Sequence, residues 1–343
     1  MHFAYAIKRR TIAGMSLSAS GQTLAVSSGQ ESGSVGGASG TGGGNGQRSR
    51  GAGIALLTGS AASNQFGAAI AALAFPVLGP VGVVAIRQWV AAVALLAVVR
   101  PRVVTFTRRE WGPVIALALI FGTMNVTLYS AIDRIGLGLA VTIEFLGPLS
   151  VALLASRRAL DIGCAIAAGA GVLVLARPRA TADYVGIFLA LAAAACWAAY
   201  IKANRVVGAR VPGSAGPATA AGISALLYVP IGAWVLASHS VTTAAVGRAA
   251  VAGLLCSAIP MTFDLLALRQ VSARFYGVFT SIQPVFAAFV GLVILRQSLA
   301  LPDWLAITAI VAANAVSVSS RDRSNRSMVG GTASALNDLE PLP

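Results

Sequence analysis

Charge is scarce in this sequence. Asp, Glu, Lys and Arg make up only 10% of its 343 residues, where a water-soluble globular chain carries about 25%. That is too little to clothe a soluble surface. Acids are scarcer still, 11 against 25 Lys and Arg, which leaves a formal charge of +14. The basic residues punctuate apolar runs and do not gather on one soluble face with aromatics between them, so they speak against nucleic acid as a partner. Histidine is nearly absent: His2 and His239 alone cannot build a histidine metal cluster. Cys164, Cys196 and Cys256 all fall inside apolar runs without a CxxC pair, so a disulfide framework is not expected and they read as small packing residues. No metal and no cofactor is expected.

What the chain has in abundance is apolar sequence, 57% of residues, with a mean hydropathy of +0.79. Runs of about 20 apolar residues recur, each long enough to cross a hydrocarbon core roughly 30 Å thick. Backbone polar groups in lipid need internal partners, so these runs must be helices. Ten spans are read, at 52–76, 81–99, 111–132, 136–156, 159–176, 184–207, 215–237, 248–269, 273–295 and 302–319. Residues 1–51 hold Lys8, Arg9 and Arg10, then a Gly/Ser-rich tract that cannot bury enough apolar surface to offset chain entropy; a disordered tail is expected. Residues 321–343 form a second polar tail.

Loop charges orient the spans. With the N-terminus in the cytoplasm, the inner loops hold Arg100, Arg102, Arg108, Arg109, Arg157, Arg158, Lys202, Arg205, Arg210, Arg269 and Arg274. The outer loops hold only Arg134, Arg177, Arg179, Arg248 and Arg296. The excess of Lys and Arg belongs inside, so both termini are expected in the cytoplasm of a multi-pass plasma-membrane protein.

The sequence also repeats itself. Gly79-Pro80 matches Gly216-Pro217 at an offset of 137; helices begin at Trp111 and Arg248, again 137 apart, and within them Met124 pairs with Met261. Pro148 pairs with Pro284 at 136 and Arg158 with Arg296 at 138. Near-constant offsets divide the chain into two five-helix repeats, 52–176 and 184–320. Five is odd, so the second copy must enter the bilayer upside down. The expected fold is an all-α integral membrane protein of ten transmembrane helices in two inverted repeats, a recurrent plan of secondary transporters.

Particular residues sharpen that reading. Glu144-Phe145-Leu146-Gly147-Pro148 followed by Ser156-Arg157-Arg158 resembles the drug/metabolite transporter superfamily, EamA type. Gly122-Thr123-Met124-Asn125, the stretch Ala194 to Tyr200 around Cys196-Trp197, and Ile259-Pro260 with Asp264 to Leu268 are similar to the threonine/homoserine exporters of that group. The likeness runs from about residue 55 to 320. Asp264 stands where those exporters tend to have Glu, and Gln283-Pro284 where they tend to have Glu-Pro. The resemblance implies ion-gradient-driven export from the cytoplasm.

Ionisable groups deep in lipid cost on the order of 2.5–3.5 kcal/mol each, so each needs a partner or a purpose. Three stand out as candidates for binding substrate or a proton: Glu144, Asp264 and Arg87. Glu144 shares a helical face with Ala140, Val141, Pro148 and Val151. Pro148 removes the N–H that would serve the Glu144 carbonyl, which puts a polar spot beside a carboxyl at mid-membrane. The bland alternative is a structural acid paired with Arg87 or a hydroxyl. Asp264 follows Pro260 by four residues, and its alternative is an ion pair with Arg269 or Arg274. Arg87 either grips a substrate carboxylate or snorkels to the outer interface. Were the three to converge, they would suit a zwitterion. Asn64, Asn125, Tyr129, Trp197, Tyr200 and Gln283 are candidates to line the path, with interhelical hydrogen bonding as the competing role. Pro148, Pro260 and Pro284 are the candidate helix breakers at the site.

The expected function is export of a small metabolite, foremost an amino acid such as threonine or homoserine, by ion-coupled alternating access with the proton as coupling ion. Exporters of other metabolites or drugs, and a non-transporting membrane protein, are the rivals. Serine intramembrane proteolysis would need a buried histidine base, and His239 falls in or near an outer loop, so an enzyme is not expected. Assembly as a homodimer stays open.

Overall fold

The computed structural model describes residues 42–154, 163–171 except 165, 183–238 except 212, 241–267, 270–271 and 273–316 except 314. Outside the described residues lie 1–41 of the expected tail, most of the span 159–176 with Arg157 and Arg158, His239, Arg269 and the polar end 321–343. Among the described residues the chain is helical, with no strand. Phe75–Val99, Arg108–Ile135, Tyr184–Arg210, Ala215–Ser238 and Thr243–Asp264 are long and apolar enough to cross a membrane, and Leu137–Val151, Gln283–Ile294 and Leu301–Ala313 are shorter apolar helices.

Helix α1 covers Gly42–Ala72 and so begins ten residues before the expected 52. The stretch contains no proline to interrupt the ladder, and extending a formed helix adds one hydrogen bond per residue; residues 42–51 are thus helical although their composition reads as disordered. Helix α2, Phe75–Val99, takes Pro76 into its first turn and kinks at Gly79, whose φ of 65° and ψ of 162° precede Pro80. Helix α3, Arg108–Ile135, opens on a capping box in which Thr107 and Glu110 satisfy each other's end groups. It stops at Gly136, whose φ of 87° lets the chain turn at once into the next helix.

From there several expected spans are broken rods. Span 136–156 divides at Phe145 into α4, Leu137–Glu144, and α5, Leu146–Leu154. Helix α6, Tyr184–Arg210, is continuous. Span 215–237 divides at Tyr228 into α7, Ala215–Leu227, and α8, Val229–Ser238. Span 248–269 starts earlier, as α9, Thr243–Gly253; it passes through a widened π turn at Leu254–Ala258 and continues as α10, Ile259–Ala267. Span 273–295 divides at Ser281 and Ile282 into α11, Ala273–Thr280, and α12, Gln283–Ile294. Leu301–Ala313 forms α13. A proline follows within a few residues of the breaks at Phe145, Tyr228 and Ser281 and directly after the π stretch, because proline brings no N–H to the preceding turn.

Packing draws these pieces into one bundle. Helix α3 lies along α6, α2 along α7 and α8, and α10 and α9 along α1; α12 crosses α4. Small residues set the closest approaches. A side chain on Gly147 would strike the Ala194 carbonyl of α6, and one on Gly138 would come to 2.8 Å of the Ala288 backbone in α12. Across α2 and α7, Gln88 Nε2 donates to Ser224 Oγ at 3.0 Å and Trp89 Nε1 to the Ala225 carbonyl at 3.0 Å.

Candidate functional site

Arg87 sits in the buried part of α2, 8% exposed, and therefore faces the bundle interior and does not snorkel. Its Nη1 donates to Asn125 Oδ1 of α3. Asn125 Nδ2 donates in turn to the Phe121 carbonyl at 2.8 Å, which fixes the amide with its oxygen toward the guanidinium. Tyr129, one turn further along α3, lies with its ring centroid 4.8 Å from the Arg87 guanidinium carbon. Phe75 meets Tyr129 edge-on at 6.0 Å and holds it there.

Cys256, in the π stretch before Pro260, completes the cluster. Its Sγ lies 3.8 Å from Tyr129 Oη and donates to the Asn64 carbonyl at 3.3 Å. The same thiol lies against the Arg87 guanidinium. Pro260 brings no N–H to the carbonyls four and five residues before it, those of Cys256 and Leu255. Ser63 Oγ of α1 donates to the Leu255 oxygen at 2.8 Å in its place.

Glu144 closes α4 and is 6% exposed. It and Arg87 feel each other's charge, as do Glu144 and Cys196 of α6. Glu144 and Arg87 are not in direct contact: no oxygen of Glu144 lies within 4.0 Å of an Arg87 nitrogen. Beside Glu144, Phe145 packs edge-on against Trp197 at 4.8 Å, so the break in the rod is walled by an aromatic pair.

Arg87, Asn125, Tyr129 and Glu144 thus come together, with Trp197 joined through Phe145 and Asn64 through its backbone. Other candidates lie apart. Asp264 does not converge with Arg87 and Glu144; its Oδ2 accepts from Tyr276 Oη of α11 at 3.0 Å, with Ser60 of α1 as a second hydroxyl partner. Tyr200 packs beside Phe121 at 5.9 Å, in the cluster of Val114, Leu117 and Val207. Gln283, half-buried, begins α12 next to buried Pro284. Two contributors are not among the sequence candidates, Cys256 and Tyr228. The phenol of Tyr228 donates to the Gly122 carbonyl at 2.8 Å and lies within electrostatic reach of Arg87. Their signal was the proline that follows each by a few residues.

Among the described residues no group of three His, Cys, Asp or Glu side chains is placed to hold a metal ion. A cleft of about 340 Å³ opens elsewhere, at the turn from α3 to α4, lined by Asp133, Arg134, Gln297, Ser298 and Asp303 among others. Gln297 Oε1, one of its lining groups, accepts from the Leu137 N–H at 3.0 Å.

The model of the EamA-like transporter family matches residues 184–319. Threonine/homoserine exporter RhtA of Escherichia coli (strain K12) is 34% identical over 267 residues, 76% of this chain and 89% of that protein. The RhtA of Salmonella typhimurium (strain LT2) is likewise 34% identical over 267 residues, with the same coverage. A solved crystal structure superposes with a TM-score of 0.53 at 18% identity, over 77% of this chain and 96% of that one, which is a likeness of fold alone.

Proposed function

Since this chain belongs to the EamA-like transporter family, we propose that it exports small amino acids, threonine and homoserine foremost, from the cytoplasm. The observation that carries this reading is that Arg87 and Glu144 are both buried beside a break in the helices and within electrostatic reach of each other, in a chain similar to threonine/homoserine exporters. A zwitterion needs one cationic and one anionic partner, and Arg87 and Glu144 are buried groups of the two signs that act on each other. Glu144 serves the ammonium group, and when the substrate is absent it carries the coupling proton.

The reading includes two inverted five-helix repeats that rock about this site. Helix pairing supports that arrangement. Exchanging the first five spans for the last five turns the third-on-sixth contact, α3 on α6, into eighth-on-first, α9 and α10 on α1. Third-on-seventh becomes eighth-on-second, as α3 on α7 becomes α9 on α2. Fourth-on-sixth becomes ninth-on-first, as α4 on α6 becomes α12 on α1. The second-on-seventh and fourth-on-ninth contacts map onto themselves. The breaks at Phe145 and Ser281 stand 136 residues apart, the offset of Pro148 and Pro284. Such halves give alternating access around a midplane site, with the protein in the plasma membrane and both ends in the cytoplasm.

Everted membrane vesicles with and without the chain, offered a panel of labelled amino acids, test the reading. Threonine or homoserine should accumulate in the vesicles that contain the chain, and more so under an imposed pH gradient. Accumulation of none of the panel would refute amino-acid export and turn attention to other metabolites.

A further inference from the structure

We infer that Arg87 is a carboxylate receptor, which takes the exported solute by its α-carboxylate on the Nε edge of the guanidinium. The inference deepens the amino-acid reading of this site and relies on that reading for the identity of the ligand.

Four features of the site converge on it. First, the guanidinium is buried, yet Nε has no hydrogen-bond partner. A buried donor left unmade is costly and, in a native protein, calls for an explanation. Second, its fixed partners are neutral: an amide oxygen, a phenol ring and a thiol. A structural arginine in a membrane interior is ordinarily matched by a carboxylate or by backbone carbonyls. Here no Asp or Glu oxygen lies within 4.0 Å of Arg87 among the described residues, and Glu144 acts on it only from further off.

Third, Asn125 is built to aim the guanidinium without neutralising it. Its Nδ2 is committed to the Phe121 carbonyl, so its oxygen has one job, to hold Nη1. Nη1 lies on the side of the guanidinium away from the edge shared by Nε and Nη2. That edge, whose Nε has no partner, is one of the forks that accept a carboxylate through two parallel N–H bonds. Fourth, Tyr129, clamped by Phe75, supports the flat face of the guanidinium, so the fork is held before any ligand arrives. Asn125 and Tyr129 are accordingly positioning residues, and Arg87 is the one that touches the ligand.

The purified full-length protein in detergent tests this by displacement of labelled threonine with unlabelled ligands. Threoninamide keeps the ammonium and hydroxyl of threonine but replaces the carboxylate with a neutral amide. The expected result is that threoninamide binds the wild-type protein about 10- to 100-fold more weakly than threonine, the loss of a charge-assisted pair. Arg87→Gln should abolish that discrimination. Asn125→Ala should weaken threonine by about 10-fold and shrink the ratio, which a merely structural asparagine would leave unchanged. Equal binding of threonine and threoninamide by the wild-type protein overturns the receptor whatever the variants do. So does discrimination that survives in Arg87→Gln. If labelled lactate binds through Arg87 while no amino acid does, the receptor stands and the amino-acid reading falls. If the protein binds neither threonine nor lactate, the receptor falls.

Discussion

Asp183 shows how a single side chain can do two things at the membrane edge. Its Oδ1 accepts from the Gly186 N–H at 2.9 Å and so caps α6, while Oδ2 meets Arg134 of α3 at 2.9 Å. The cap hydrogen bond first, and the arginine second, hold this carboxyl below the usual carboxylate range. A lowered carboxylate stabilises the fold fully above its unfolded value, about 3.9, and that contribution is lost as pH falls through the lower folded value. Hydrogen exchange in the first turn of α6 should therefore stay constant from neutral pH down to about pH 4 and quicken below it, once corrected for the intrinsic rate. Asp183→Ala should exchange fast at every pH; an unchanged first turn in that variant would remove the cap from the account. The central residues were legible for one reason, that polar and ionisable types stood inside apolar runs: Arg87, Glu144, Asn125 and Tyr129 could be picked out that way. Which of them meet was not legible. Asp264 looks like a third member by charge and depth, but its partner Tyr276 is on another helix, and no spacing within one helix reports that contact. Cys256 was hidden by its own type, since a thiol in an apolar run reads as filler until its neighbours are known.

At the scale of elements, the prolines carry most of the information. Pro148 and Pro284 mark broken rods and Pro260 a widened turn, yet each discontinuity begins before the proline, because the missing N–H frees a carbonyl one turn back. The start of α1 could not be read from composition, which described the tract at 42–51 well but not the helix that continues into it. Contacts between elements depend on glycine. Gly138 lets α4 touch the Ala288 backbone of α12, at the end of the bundle where Gln297 also ties the two together. Gly138→Leu should force α4 and α12 apart and cost about 1–3 kcal/mol, the range for overpacking a close interface. A thermal melt of the purified variant checks this. A melting temperature equal to that of the parent would mean that the two helices do not need their close approach.

For the whole molecule, orientation is the property that ties charge, repeat and transport together. In the proposed orientation, the cleft at Asp133, Gln297 and Ser298 faces outside the cell and the end of α6 near Arg210 faces inside. Cysteines introduced at Ser298 and at Gly208, in a background lacking the native thiols, should react with an impermeant maleimide from opposite sides of intact cells: Ser298→Cys labelled from outside, Gly208→Cys only after lysis. Labelling of both from one side would undo the inverted arrangement. The transport claim itself is tested most directly in proteoliposomes, by the rate of labelled threonine uptake under an imposed pH gradient. Wild-type protein should concentrate threonine, and Glu144→Gln and Arg87→Gln should each lower the rate at least about 10-fold, the scale of one lost charge-assisted contact. Wild-type rates in both variants would contradict the account, because the pair of opposite charges inside the bundle would then have no part in moving the solute.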